Sequence, residues 1–309
     1  MKIAILGAGA MGMLFGAYLS RENEVLLLDK DSKRVDKINA DGVKIHENNG
    51  DFIFHTKAEL IDGLCCDYNV DLMIVFVKSM FEREAIEGAA RLIGAETYLM
   101  TLQNGEGHES VLRDFVSADR IIIGTTQDNS SVIENGYINH GGAGHTYIGL
   151  VEGNSSDIQY IAENFSRCGF ETQTSDNVKR LIWNKLFLNA SVSALTALFQ
   201  TNLGFIVDDP YAWELAKKLI TEAVTVANAD GYPFSVDDVT AEIKAHLERS
   251  KGGYTSIYAD IKAGRKSEVD TISGAVVKAA ERLGVDVPNM KFVVNAIHAM
   301  ENKNIEKEL

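Results

Sequence analysis

Apolar positions in the first half of the chain come as short unbroken runs, and in the second half at helical spacing. Lys2–Leu6, Glu24–Leu28, Asp71–Val77, Thr97–Leu102 and Ile121–Gly124 have the near-continuous character of buried parallel strands. Ser32–Ala40 and Phe81–Leu92, which lie between them, predict helices. Val43–Ile45 and Phe52–Phe54 predict short strands around the turn Asn48-Asn49-Gly50. From about residue 125 to 175 the pattern shifts to short strands at Tyr137–Asn139, His145–Leu150 and Phe170–Gln173. The run His140-Gly141-Gly142-Ala143-Gly144-His145 could be taken for a phosphate loop or a metal pair. Strands flank it and no helix follows, which predicts a hairpin connection. From Asn177 onward the spacing is helical, with helices over 177–199, 210–229 and 236–249. Ser267-Glu268-Val269-Asp270 has the S-x-x-D form of a helix start and puts Glu268 in a first turn, where the macrodipole favours a carboxylate.

The first strand runs directly into Gly7-Ala8-Gly9-Ala10-Met11-Gly12, a G-x-G-x-x-G that opens a helix. Gly7 permits the tight turn, Gly9 a close backbone approach to a pyrophosphate, and Gly12 close helix–strand packing. Free N–H groups at that helix start favour an anion. Asp29 ends the second strand 17 residues past Gly12, where a carboxylate can accept from a ribose 2′-hydroxyl. The expectation is an α/β chain: a Rossmann dinucleotide-binding domain over 1–176, then an all-α substrate domain over 177–309. Lys78 and Asn104 close later strands at the same carboxyl edge, where ligands sit in open α/β sheets.

Charge narrows the partners. The 309 residues carry 30 Lys plus Arg against 44 acids, a net charge of −14, which argues against nucleic acid or an anionic membrane. No signal segment is expected before the first strand, and no apolar run is expected to reach membrane length, so a cytoplasmic protein is expected. Cys65, Cys66 and Cys168 are an odd, sparse set with no His or Cys at ligand spacing, which reads as plain thiols and no metal.

The sharpest candidate chemistry lies on the helix over 177–199. Lys185, Asn189 and Ser193 fall at i, i+4 and i+8 and form one polar stripe. Such stripes are ordinarily solvated faces. Here Trp183, Leu186, Leu188 and Val192 surround it, and a covered lysine is costly unless it has a purpose.

These residues resemble the ketopantoate reductases nearly end to end. The markers are the GAGAMG loop, Val77-Lys78, Gln103-Asn104-Gly105, Trp183-Asn184-Lys185 with Asn189, and Ser256 twelve residues before Glu268. The resemblance implies a Rossmann domain, a helical domain and a substrate cleft. It implies that NADP(H) or NAD(H) is the cofactor and a small 2-oxo acid the substrate. By it Lys185 is the general acid, Asn104 lies by the nicotinamide and substrate, and Ser256 binds the substrate carboxylate. Glu268 holds the distal hydroxyl with Asn189, and Lys30 stands where the family often carries a phosphate-binding arginine. The family's second helix asparagine is here Ser193, which leaves open an (R)-2-hydroxyacid, mandelate-type dehydrogenase on the same scaffold. A 3-hydroxyisobutyrate or 6-phosphogluconate type lacks the Ser256–Glu268 segment, and a non-enzymatic nucleotide sensor would have a degraded site. A homodimer is compatible with the helical domain.

Overall fold

The computed structural model describes residues 1–64 and 68–305, so the reading of Cys65 and Cys66 lies outside the described residues. Cys168 is a buried free thiol. The chain divides into two compact units, Met1–Gln103 with His108–Lys179, and Asn104–Gly107 with Arg180–Leu309.

The first unit is built on strands β1 (Lys2–Leu6), β2 (Glu24–Asp29), β3 (Val43–Glu47), β4 (Gly50–Phe54), β5 (Lys57–Leu60), β6 (Leu72–Val75), β7 (Tyr98–Thr101), β8 (Ile121–Thr126), β9 (Asn129–Glu134), β10 (Tyr137–Gly142), β11 (His145–Leu150) and β12 (Glu171–Thr174). Eight form one sheet in the order β12-β11-β8-β7-β6-β1-β2-β5. Its core strands are parallel, and only the β8–β11 pair is antiparallel. Leu6 registers with Val75, and Val75 with Thr101, so β1, β6 and β7 end at one edge. The strands lack alternation because both sheet faces are covered: Ile3, Ile5, Leu27 and Ile74 are buried on one face, and Leu6, Leu28, Met73 and Val75 on the other.

A second sheet has the order β4-β3-β10-β9. Two antiparallel hairpins, β3–β4 and β9–β10, are joined by parallel pairing of β3 with β10, Ile45 facing Ile138. This corrects the expected hairpin at 140–145. That segment carries the chain from β10 in the small sheet to β11 in the large one. Alternation reveals a strand and its faces, and says nothing about which sheet it joins. The expected helix over 81–92 is likewise broken: 3₁₀ turns at Ser79–Phe81 and Ala90–Leu92 bracket an α-helix over Glu82–Gly88.

The second unit is helical around a core that includes Trp183, Phe187, Leu219, Val224, Leu247 and Ile297. Its helix starts follow local chemistry. Asp209 accepts from the Tyr211 and Ala212 N–H groups ahead of Pro210, and Ser235 accepts from Asp238. The helical run Val178–Phe199 is, contrary to expectation, long and apolar enough by composition to cross a membrane (22 residues, mean hydropathy 1.2). Its apolar side chains Trp183, Leu186, Phe187 and Val192 are spent on the helical core.

Candidate active site

In the first unit the candidate site is made of backbone. Gly7 has φ +94°, a conformation side chains rarely adopt, and a Cβ there would stand 2.9 Å from Val77 N. A Cβ on Gly12 would stand 1.8 Å from the Gly7 carbonyl oxygen, so the closeness Gly12 permits is between loop and helix. Gly9 differs, since a Cβ there meets nothing within 4 Å. The loop thus keeps open space over its middle glycine, at the N-cap of helix Ala10–Leu19, which no side chain caps. Ala8 is buried, while Ala10 and Met11 are half-buried. Open backbone at an uncapped helix start fits a pyrophosphate.

Asp29 already has work to do. Its Oδ2 accepts from the Ala8 N–H (2.8 Å) and from Arg34 Nη1 (2.8 Å), and its Oδ1 accepts from the Asp31 N–H (2.9 Å). One carboxylate therefore ties the glycine loop to the start of the next helix and still stands at the end of β2. Lys30 pairs with Glu84 on the surface (2.5 Å). The cation beside Asp29 is Arg34, a residue the motif pattern does not mark. Its position at the third residue of helix Ser32–Asp41 could have exposed it, since a helix that starts beside β2 directs its first turn back at Asp29. Lys78 is half-buried, three residues beyond β6. Gln103 reaches across to Val77, donating from Nε2 to its carbonyl (2.6 Å) and accepting from Thr101 Oγ1 (2.7 Å), which pins the ends of two strands.

In the second unit the site is made of side chains. The helical run splits into an α-helix over Val178–Leu188, a π-helical segment over Asn189–Ser193 and an α-helix over Ala194–Phe199. Lys185 and Asn189 remain one turn apart. A π turn holds more residues than an α turn, so Ser193 no longer falls on their line as the expected stripe had it. Ser193 is buried, and Lys185 and Asn189 are half-buried. Hydroxyls gather on the carbonyls of the loosened ladder. Ser191 donates to Phe187 O (2.5 Å), Ser273 to Ala190 O (3.0 Å), and Thr196 to Ser193 O (2.8 Å). Burial pulls the Lys185 ammonium down to about 8 from its usual 10.5.

Ser256 is the exposed first residue of helix Ser256–Lys262, behind the Thr255 cap. Glu268 is half-buried, and here the expectation fails: the next helix begins only at Ser273, and residues 268–272 form a turn ahead of it. Ser267 does not open that helix: its N–H and hydroxyl donate to Glu301 (2.8 and 2.7 Å), and its oxygen accepts from the Val269 N–H within the turn (3.4 Å). Asn104 belongs to this unit. Glu106 N–H donates to Thr271 O (3.1 Å), and a Cβ on Gly105 would stand 1.8 Å from that same oxygen. Asn104 and Glu268 are thus carried by two segments in backbone contact. Among the described residues no three His, Cys, Asp or Glu side chains are grouped to hold a metal.

Residues 3–153 match the family described as ketopantoate reductase PanE/ApbA, and residues 177–301 match its C-terminal counterpart. A 2-dehydropantoate 2-reductase of Halobacterium salinarum is 30% identical over 302 residues, covering 96% of this chain and 98% of its own. One from Pyrococcus horikoshii is 30% identical over 299 residues, 96% of each chain. Among solved structures, a D-mandelate dehydrogenase with NADH and anilino(oxo)acetate matches at TM-score 0.93 and 29% identity, covering 98% of this chain and 99% of that one. A 2-dehydropantoate 2-reductase of Geobacter metallireducens matches at TM-score 0.86 and 28% identity, covering 97% and 99%.

Proposed function

The chain belongs to the ketopantoate reductase family, and from that premise we propose that it is a 2-dehydropantoate 2-reductase, reducing ketopantoate to (R)-pantoate with NADH or NADPH, a step of pantothenate biosynthesis. The observation that carries the reading is Lys185, a lysine pulled by burial to about 8 and set one turn from Asn189.

The loop Gly7–Gly12 fits the cofactor, with open space over Gly9 and an uncapped helix start for the pyrophosphate. A nicotinamide dinucleotide, when bound, supplies a hydride to the ketone carbon. Negative charge then develops on the ketone oxygen. Lys185 stabilises it and delivers the proton, which requires its ammonium within about 3 Å of that oxygen. A lysine near 8 is protonated often enough at neutral pH to give the proton, and weakly basic enough to release it. Ser256 takes the substrate carboxylate, Asn104 the carbonyl region beside the nicotinamide, and Glu268 with Asn189 the distal hydroxyl. Ser193 is shorter than the family's asparagine, so one hydroxyl contact is lost or bridged by water.

That same serine, with the likeness to D-mandelate dehydrogenase, supports a second reading: an (R)-2-hydroxyacid dehydrogenase of mandelate type. A panel assay separates the two. Nicotinamide absorbance is followed with ketopantoate, 2-oxoisovalerate and phenylglyoxylate. Ketopantoate should give the highest kcat/KM, because a polar pocket penalises a substrate that leaves its groups unpaired. Glu268→Ala should narrow its lead over 2-oxoisovalerate, which lacks the hydroxyl. Faster wild-type reduction of phenylglyoxylate or 2-oxoisovalerate would hand the assignment to the second reading.

A further inference from the structure

Glu268 sits on a turn held from several sides. Ahead of it, the Ser267 N–H and hydroxyl converge on Glu301 Oε1. The other oxygen of Glu301 meets His298 Nδ1 (3.1 Å), and Nε2 of the same ring meets Asp270 Oδ1 (3.0 Å) on the far side of Glu268. One helix, Pro288–Ile305, therefore grips the turn both before and after Glu268 through a pair three residues apart. Glu301 is only 6% exposed, an expensive place for a carboxylate. Its three hydrogen bonds offset that cost, and two of them go to the residue next to Glu268.

The turn is also a junction. Its Thr271 carbonyl receives the Glu106 N–H from the Asn104 segment, and the Ser273 hydroxyl, at the start of the following helix, reaches Ala190 in the π segment that begins at Asn189. Thr271 and Ser273 thus tie in the Asn104 and π segments directly, while Glu301 and His298 hold Ser267 and Asp270.

We propose that Glu301, with His298, is a positioning residue for substrate recognition: it fixes the Ser267–Asp270 turn so that the Glu268 carboxylate meets the substrate's distal hydroxyl. This rests on the reading above in which Glu268 recognises that hydroxyl. Displacement of about 1 Å at a positioned group can cost on the order of 10²-fold in rate, so a support remote from the substrate can govern selectivity.

The test is a double-variant cycle on the full chain, with nucleotide affinity and thermal midpoint recorded for each protein. Glu301→Ala removes the acceptor for Ser267, whereas Glu301→Gln keeps an oxygen in its place. Glu301→Ala should raise the ketopantoate KM about tenfold, move the 2-oxoisovalerate KM less than about threefold, and leave nucleotide affinity within about twofold. Glu301→Gln should recover most of the loss. Adding Glu301→Ala to Glu268→Ala should raise KM no further, because two residues acting through one contact are non-additive. Equal KM rises for both substrates, full additivity, or a wild-type KM in Glu301→Ala would overturn the proposal while leaving Glu268 its role. Glu268→Ala alone failing to change the preference for the hydroxylated substrate would sink both readings. If Glu301→Ala does not fold, His298→Gln carries the test, since it spares both Ser267 bonds. A KM rise of about threefold confined to ketopantoate is then expected, and an unchanged KM overturns the proposal.

Discussion

The two units prepare for a ligand in opposite ways. In the sheet unit the contacts offered are main chain, and what matters is the atoms that are missing at Gly7, Gly9 and Gly12. In the helical unit the proposed contacts are atoms present: the Lys185 ammonium, the Asn189 amide and the Glu268 carboxylate. A backbone site is broken by adding a carbon, and a side-chain site by removing one. The comparison also separates what a ligand needs from what the fold needs. The two are fused at Gly12, where a Cβ collides with Gly7, and separable at Gly9, where it collides with nothing.

The largest expected effect is on the side-chain half. Lys185→Ala should lower kcat by about 10²–10⁴ with little change in nucleotide affinity, measured by turnover and by nucleotide fluorescence titration. The wild-type pH profile sharpens this. Proton donation needs the charged lysine, so kcat/KM for reduction should fall as pH rises through about 8, and that for the reverse oxidation should climb over the same range. Near-normal turnover in Lys185→Ala would leave the lysine a structural residue only.

Next in size is the backbone half. Gly9→Val should weaken nucleotide binding by about ten- to a hundredfold, while its thermal midpoint stays close to wild type. Gly12→Ala should lower the midpoint itself, because the added carbon strikes a carbonyl oxygen. Intact nucleotide affinity in folded Gly9→Val would remove the loop from the site.

The smallest effect concerns the choice of nucleotide, where the two kinds of site meet. Asp29 repels a 2′-phosphate, yet Arg34 lies 2.8 Å from it and Lys30 is drawn off toward Glu84. With the acid and its neighbouring arginine opposed, NADH should serve at least as well as NADPH. An NADPH preference in kcat/KM above about tenfold, worth about 1.4 kcal/mol, would refute this.

What could be read from the sequence follows the same division. The glycine loop was legible because its demands are local: each glycine answers to neighbours a few residues away or to the adjoining strand. The Lys185–Asn189 pair was legible because helical spacing is also local. The π segment is not, since Asn189–Ser193 fits an α pattern equally well and one partner of its freed carbonyls, Ser273, lies 83 residues beyond Ala190. Ser267-Glu268 reads as a helix start, while in the fold Ser267 bonds Glu301, 34 residues further on, and the helix opens at Ser273. Arg34 does not stand out in the sequence, because nothing in its own pattern marks it as the partner of Asp29. The connection at 140–145 is not legible either, because a flank of two strands does not tell whether they share a sheet.

The parallel pairing of β3 with β10 bears on how the protein comes to be made. Each hairpin of the small sheet closes over a few residues and is available as soon as its own strands exist. Joining Ile45 to Ile138 must wait for everything between them, including β5 through β9, and its entropy of closure is lost before any contact returns it. As the chain leaves the ribosome, β3 therefore stands as an unfinished edge until β10 emerges. The neighbouring β4, with Phe52 and Ile53 exposed, is an edge of the finished sheet as well, so β10 closes one of the two open edges and leaves the other.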